Sequence, residues 1–449
     1  MNLGILGAGY VGLTTAICLA SIGHKITIYD TDPTKLKQIT NKKTPFYEPN
    51  LQEMLEKVIE SGSLSTSNNV DELIQVTEGS FICVGTPTQA DNSIDLSQII
   101  EATKSVGISV KKNKKTNYLI IIRSTIIPGT TRKKILPLLK EILTNEEFLL
   151  SVVPEFLREG QALSDFMNPD KIVIGGLDNM SQNLVEEIFD YFKNNVKIIK
   201  TNPETAELIK YTNNAFFSML ISFANEIANI SEKITKVDSL EVLNALIMDK
   251  RITTKINGKD IVPSLQTYLI PGCGFGGSCF PKDVRAILQF ALSNQVRVPL
   301  LESVLTINND RPSKIVTLAE TILGSLHDKK ISVLGLTFKP DTDDMRSSPA
   351  LDAIRLFKQK GAEISVYDPL ISKNNREIEH VNFVLSKSLI ECMEGSDLAV
   401  LFTKWSEFQN INSKFLKDHM KNPVIIDGRG FLNSGNFEKN SYFKVGYVE

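Results

Sequence analysis

Short apolar runs alternate with longer stretches in which apolar residues recur every three or four positions. Leu3-Gly4-Ile5-Leu6 is a run of the first kind, and Ala16, Ile17, Leu19 and Ala20 follow at helical spacing. Gly23 ends that helix and Lys25–Asp30 is a second run, completing a strand–helix–strand unit. Further runs predict strands at Ser80–Val84, Asn117–Ile122, Leu149–Val153, Lys171–Gly176 and Val196–Ile199. A second series begins at Lys330–Leu336 and returns at Ala362–Asp368, Leu398–Phe402 and Val424–Asp427. Between the two series, Thr201-Asn202-Pro203-Glu204 has the polar cap, first-turn proline and acid that open a helix, and this helix runs past Glu232. Its middle, Ala215–Ala224, is nearly free of charge, so it must be covered on several sides, between domains or subunits. Residues from about 250 to 271 read as looser chain. The pattern predicts an α/β protein: two Rossmann-like, doubly wound domains joined by a long central helix and a helical middle domain. The expected boundaries are 1–200, 201–326 and 327–449.

Composition narrows the class. A chain of 449 residues exceeds one ordinary core, and 42% apolar with 23% charged residues fits a soluble globular protein. The formal net charge of −2 gives no electrostatic case for nucleic acid, and Lys111–Lys115 is a local cluster at a helix end or loop. No apolar run reaches the ~18 residues of a membrane span, and the N-terminus enters a strand without a leader pattern. The five cysteines, Cys18, Cys83, Cys273, Cys279 and Cys392, form no CxxC pair, which suggests reduced thiols in the cytoplasm and no zinc site. His24, His327, His380 and His419 stand apart, so no metal is expected.

Chemistry concentrates at a few places. Gly7, Gly9 and Gly12 form G-x-G-x-x-G directly after a strand: a tight turn, close approach of a pyrophosphate to a helix N-terminus, and close helix packing. Asp30 ends the second strand, where an acid accepts hydrogen bonds from a ribose and repels a 2′-phosphate, favouring NAD over NADP. The competing reading is a loop that only packs helix on strand. Thr86, Ser124 and Thr125 follow the carboxyl ends of predicted strands, where ligands of such sheets lie, although each also suits a turn or cap. Glu155 and Glu159 lie four apart in Pro154–Gly160, a ligand loop or a charged helix start. Lys210 and Asn214 share one helix face, suited to a developing oxyanion, or to a lysine snorkelling at a domain edge. The stretch Pro271–Asp283 packs four glycines, two thiols, a lysine and an aspartate together, with a helix expected from about Asp283. A thiol at a helix start beside a lysine has a lowered pKa and is a better nucleophile, which favours Cys279; a flexible turn is the alternative. Composition does not separate Cys273 from it. In the second series Thr337–Arg346 replaces the glycine fingerprint, and Lys339, Arg346 and Arg429 are placed to meet phosphates.

These residues resemble one family over nearly the whole chain, the nucleotide-sugar 6-dehydrogenases typified by UDP-glucose 6-dehydrogenase. The motifs are Gly7–Gly12, Thr44-Pro45-Phe46-Tyr47-Glu48-Pro49, Val84–Pro87, Arg123–Thr125 with Pro128-Gly129, Pro154–Gly160, Glu207–Lys210, Gly274–Asp283 and Phe338–Pro349. The resemblance implies oxidation of a sugar C6 alcohol to the carboxylate in two steps, with two NAD⁺ consumed. By motif, Cys279 is the nucleophile of a thiohemiacetal and thioester, Lys210 and Asn214 stabilise the oxyanion, and Asp283 and Glu155 handle protons and water near Thr125. Tyr10, Val11, Asp30, Lys35, Thr86, Ser124, Glu159 and Arg346 match cofactor positions. Glu155, Phe156, Leu157, Lys210, Asn214, Arg251, Tyr268, Gly272, Gly276, Phe338, Lys339 and Arg429 match nucleotide-sugar contacts. The long helix matches a dimer-forming element, implying a homodimer or larger homo-oligomer. The chain departs from the family by an insertion around Thr254–Pro263, which puts Arg251 in doubt as a ligand, and Arg429 rests on only Asp427-Gly428-Arg429. UDP-glucose is the expected substrate, with UDP-N-acetylmannosamine, UDP-N-acetylglucosamine and GDP-mannose open. Outside the family stand a single-step 3-hydroxyacid-type dehydrogenase, which needs no thiol, and a non-catalytic NAD sensor.

Overall fold

A computed structural model describes residues 1–372, 378 and 383–448. His380 lies outside the described residues. The chain separates inside its longest helix, Pro203–Ser231, into two units, Met1–Asn213 and Asn214–Glu449.

The first unit is built on eight strands: β1 (Asn2–Leu6), β2 (Lys25–Tyr29), β3 (Leu64–Thr66), β4 (Gly79–Ile82), β5 (Tyr118–Ile122), β6 (Phe148–Val152), β7 (Lys171–Gly176) and β8 (Lys197–Thr201). Their order is β3-β2-β1-β4-β5-β6-β7-β8. β1 pairs in parallel with β2 on one side and β4 on the other, so the strand order reverses at β1, where such sheets open a crevice for a ligand. The sheet is covered on both faces. Along β5, Leu119 and Ile121 join the core cluster that holds Leu3, Ile5 and Ile17, whereas Ile120 and Ile122 join the cluster that holds Leu6 and Ile82. A strand buried on both sides reads as an unbroken apolar run, which is why β5 stood out in the sequence.

Two details differ from expectation. β4 ends at Ile82 rather than Val84: the Cys83 amide still donates to Leu6 at 2.8 Å, but the Val84 carbonyl accepts from the Ser124 hydroxyl at 2.7 Å, so the chain has left the sheet. β7 runs antiparallel to β6, pairing Val152 with Gly175. The connection between them holds only one short helix, Ala162–Met167, and it is the segment that carries Glu155 and Glu159. It returns along the same edge rather than crossing the sheet.

The second unit begins with most of the long helix, followed by helices Ser239–Ile247, Phe280–Ser293 and Pro299–Leu323. The apolar middle of the long helix is not covered on every side in this chain, since Phe216 and Phe223 are exposed, as is Ile230 near the helix end. The segment expected to be loose instead holds a hairpin of β9 (Thr254–Ile256) and β10 (Lys259–Ile261), joined by Asn257 and Gly258, both with positive φ (51° and 78°). That is the backbone of a two-residue type I′ turn. The unit closes with β11 (Lys330–Leu334), β12 (Glu363–Tyr367), β13 (Val384–Leu385), β14 (Leu398–Leu401), β15 (Ile425–Asp427) and β16 (Tyr442–Lys444), an all-parallel sheet ordered β13-β12-β11-β14-β15-β16. Among the described residues, no helix is long and apolar enough to cross a membrane.

Candidate active site

In the first unit the glycine loop leads from β1 into the helix Tyr10–Ser21. A Cβ on Gly9 would meet no other atom of the chain within 4 Å, so the backbone there lies open to a ligand, and no side chain caps the helix. A Cβ on Gly12 would lie 1.8 Å from the Gly7 carbonyl oxygen, so only glycine lets the helix pack on the turn. Asp30, just past β2, accepts from the Ala8 amide at 2.6 Å and the Asp32 amide at 2.9 Å, and Lys35 stands 3.5 Å away. A carboxylate has about four acceptor positions, so capacity remains for ribose hydroxyls. Helix start, open backbone and anchored acid fit a dinucleotide without a 2′-phosphate. Val11 follows Tyr10 in the first turn of the helix.

The turns after β4 and β5 are tied together. Thr86 donates to the Thr125 carbonyl at 2.9 Å, and Ser124 donates to Ile82 and Val84. Both hydroxyls therefore brace backbone, and Thr125 is half-buried beside them. Glu155 and Lys210 form a buried ion pair at 2.7 Å, with side chains 5% and 4% exposed. The second Glu155 oxygen accepts from the Leu157 amide at 2.6 Å. Burial by itself raises the Glu155 carboxyl; the Lys210 ammonium and the hydrogen bonds from Lys210 and Leu157, with Arg123 nearby, outweigh it and hold the group below its usual range. Phe156 packs under two cations, with Lys171 4.3 Å and Lys210 5.7 Å from the ring centre. A cavity beside this loop is lined by Arg123, Glu155, Phe156, Leu157 and Lys171. Glu159 is buried.

In the second unit Cys279 stands at the N-terminal boundary of the helix Phe280–Ser293, with no capping hydrogen bond from its side chain; the helix starts earlier than expected because Pro281 lies in the first turn, where a missing N–H costs nothing. The Cys279 carbonyl accepts from the Asp283 amide at 2.8 Å, and its Sγ lies 3.5 Å from the Ser278 hydroxyl. Asp283 is buried; its carboxylate accepts from the Asn214 amide group at 2.6 Å and from Lys282 Nζ at 2.6 Å. Cys279 is half-buried, whereas the other four thiols are buried. Burial pushes Cys18 and Cys83 up to about 12 and Cys273 and Cys392 up to about 11. Cys273 donates to the Gly428 carbonyl at 3.0 Å and is part of the packing.

The glycines of the cysteine loop have a definite use inside this unit. A Cβ on Gly276 would lie 2.4 Å from the Ser347 carbonyl oxygen, and one on Gly272 would lie 2.7 Å from that of Gly428. The loop thus lies flat on the segments that carry Phe338 and Arg429. Arg429 joins all three: it donates to Phe402 at 2.6 Å, to Gly274 at 2.9 Å and to Phe338 at 3.3 Å. Lys339 Nζ sits 5.6 Å from the Phe338 ring centre. Tyr268 packs between Phe217 and Phe280, at 4.4 and 6.4 Å. Gly272 and Gly276 therefore belong to the Cys279 loop, Tyr268, Phe338 and Arg429 pack against it, and Lys339 lies over the Phe338 ring. Arg251 is not brought to them; it is exposed and paired with Asp249 at 2.7 Å, immediately before the hairpin. Arg346 is exposed and paired with Asp344 at 2.8 Å.

The second sheet repeats the strand–turn–acid layout but uses it differently. Asp368, the counterpart of Asp30, accepts from the Leu336 and Thr337 amides, the Thr337 hydroxyl and the Trp405 indole, and from the Leu370 amide on its other oxygen. Its acceptor capacity is spent on holding the turns after the strands at β11 and β14, so Asp368 itself is not left open for a ribose as Asp30 is.

Three residues outside the expected set matter. Arg123 is buried, donates to Thr15 at 3.0 Å, and helps keep Glu155 ionised. Glu207, one turn before Lys210, accepts from the amides of Gly129 and Thr131, fastening the segment after Thr125 to the long helix. Glu48 accepts from Tyr10, Gly160 and Ala162. All three lie within motifs, but their partners are far away in sequence.

A sheet with its switch point beside an open glycine loop and an acid on the next strand is the layout of a nicotinamide-dinucleotide-binding protein. Comparison with known proteins agrees. Three domain descriptions of one family match in order: the NAD binding domain over residues 1–193, the central domain over 204–310 and the UDP binding domain over 332–434. The chain belongs to the UDP-glucose/GDP-mannose dehydrogenase family. It is 35% identical to a UDP-glucose 6-dehydrogenase of Rickettsia bellii, covering 99% of each chain. Among solved structures it resembles a UDP-glucose dehydrogenase from Pyrobaculum islandicum (TM-score 0.90, 32% identity, 100% of this chain and 98% of that one). It also resembles a UDP-D-ManNAc dehydrogenase from Pyrococcus horikoshii (TM-score 0.85, 29% identity, 99% of each). The cofactor is NAD and the substrate a nucleotide-sugar.

Proposed function

We propose that the chain oxidises the C6 alcohol of UDP-glucose to the carboxylate, with two NAD⁺ and one water consumed. Bound NAD⁺ supplies the hydride acceptor. Loss of the first hydride and a proton from the alcohol leaves an aldehyde. Cys279 Sγ adds to it, giving a thiohemiacetal; loss of the second hydride gives a thioester, and water releases the acid and the thiol. Lys210 and Asn214 stabilise the oxyanion, each with its polar head already held by a carboxylate, Glu155 or Asp283. Glu155, ionised by its surroundings, orders or deprotonates the water near Thr125, and Asp283 serves the proton traffic. Residues 1–200 carry NAD, 201–326 the long helix and the cysteine loop, and 327–449 the nucleotide-sugar, in a cytoplasmic enzyme.

The observation that carries this reading is the contrast among the thiols: four are buried with raised pKa values, and Cys279 is half-exposed at a helix start. The names of the relatives support UDP-glucose, and the likeness to the UDP-D-ManNAc dehydrogenase supports UDP-N-acetylmannosamine as the second reading. Initial-rate NADH formation with UDP-glucose, UDP-N-acetylmannosamine, UDP-N-acetylglucosamine and GDP-mannose decides between them: the highest kcat/KM belongs to UDP-glucose, and a preference for another sugar overturns the assignment. The exposed Phe216, Phe223 and Ile230, spaced by sevens, support self-association along the long helix as a homodimer or larger assembly. Light scattering of Phe223→Asp, expected to shift toward monomer, tests that part.

A further inference from the structure

Glu48 sits in the segment between β2 and the helix Leu51–Glu60, outside the glycine loop and outside the Glu155 loop, and is 4% exposed. Its carboxylate nevertheless joins both. Oε1 accepts from the Ala162 amide at 2.7 Å, and Oε2 accepts from the Gly160 amide at 2.6 Å and from the Tyr10 hydroxyl. Tyr10 is the first residue of the helix that follows Gly9, and its hydroxyl also lies 3.5 Å from the Arg158 carbonyl. Its ring packs on Phe46, 5.1 Å between centres, two residues before Glu48. Hydrogen bonds to a buried carboxylate are the strong kind; their loss takes the acceptor from two backbone amides and leaves the Tyr10 hydroxyl its long contact to the Arg158 carbonyl.

We infer that Glu48 is a positioning residue that couples the dinucleotide loop to the loop Glu155–Ala162, so that occupancy of one stiffens the other. The path is short. A pyrophosphate at the helix N-terminus fixes the first helical residue, Tyr10; Tyr10 holds the Glu48 carboxylate; the carboxylate holds Gly160 and Ala162, which close the loop bearing Glu155, Phe156, Leu157 and Glu159. This rests on the NAD site and on the assignment of that loop to the reaction, but not on which sugar is oxidised.

Hydrogen–deuterium exchange of the full chain with and without NADH, read on peptides covering 155–162, is the test. In the native protein NADH slows exchange at Gly160 and Ala162. Glu48→Gln raises their exchange about tenfold or more even without NADH, as expected for loss of a charge-assisted hydrogen bond. Tyr10→Phe, which keeps the carboxylate and both amides, leaves exchange without NADH within about twofold but abolishes the slowing by NADH. It also raises the KM for the nucleotide-sugar at saturating NAD⁺ more than it lowers kcat. If NADH protects 155–162 equally in Tyr10→Phe, protection comes from direct contact and the coupling is wrong. It is equally wrong if NADH binds the native chain without protecting the loop. Failure of every nucleotide-sugar as a substrate would sink the proposed reaction yet leave this readout intact, so the two failures are distinguishable.

Discussion

Replacing Lys210 with methionine removes one member of a pair whose side chains are 4% and 5% exposed. Breaking a buried pair leaves an uncompensated charge, at a cost of roughly 3–5 kcal/mol. The Leu157 amide and the nearby Arg123 still favour the Glu155 carboxylate, so the lower end, about 3 kcal/mol near neutral pH, is expected. The pH dependence carries the sharper signature. In the native chain Glu155 lies below its usual value of 4.5, so its stabilisation is present above that value and is lost as pH falls through the folded pKa. Without Lys210, burial dominates and lifts Glu155 above 4.5, so its contribution now grows as pH falls toward 4.5. Urea unfolding followed by circular dichroism at several pH values between 5 and 8 should show the stability gap between variant and native chain narrowing as pH falls. The double variant Lys210→Met/Glu155→Gln should recover at least half the loss at pH 8. A loss under about 1 kcal/mol, or a gap that does not change with pH, would refute the claim that Lys210 keeps Glu155 ionised.

Other consequences follow from the same geometry. Iodoacetamide should label Cys279 in the folded chain and spare the four buried thiols, as peptide mapping will show; Cys273→Ser should keep kcat within about twofold, because a hydroxyl can donate to Gly428 as the thiol does. Gly276→Ala should destabilise by about 1–3 kcal/mol, read as a lower urea midpoint, because its Cβ would lie 2.4 Å from the Ser347 carbonyl oxygen. Burial raises Glu207 from 4.5 to about 6, so it favours the folded state less as pH rises through that window. The native chain should lose about 2 kcal/mol relative to Glu207→Gln between pH 4.5 and 7, measured as paired Tm shifts.

The two sheets were legible in the sequence because their central strands are buried on both faces and read as unbroken apolar runs, as β5 does. The hairpin was not, although its signal was present. Asn257-Gly258 is a type I′ turn pair, but Thr254-Lys255-Ile256 and Lys259-Asp260-Ile261 are too short and too polar to stand out beside the cysteine loop. The reversal of β7 could not be read from Lys171–Gly176, since direction depends on the path of the preceding loop. Residue types, motif spacing and the family resemblance drew attention to Glu155 and Lys210 in the first unit and to Cys279 and Asp283 in the second. What they could not supply were the partners: that Asp283 holds Asn214, that Glu155 holds Lys210, or that Arg429 reaches Gly274, 155 positions away. Glu48 escaped because a carboxylate that binds amides 112 and 114 positions downstream leaves no local pattern.

The central claim is a four-electron oxidation that passes through Cys279. Its most direct test is the amount of NADH formed per UDP-glucose exhausted by the native enzyme with NAD⁺ in excess. Two NADH per sugar, with no free aldehyde accumulating, is the predicted result. One NADH per sugar, or a ratio of two that survives in Cys279→Ser at native rate, contradicts it.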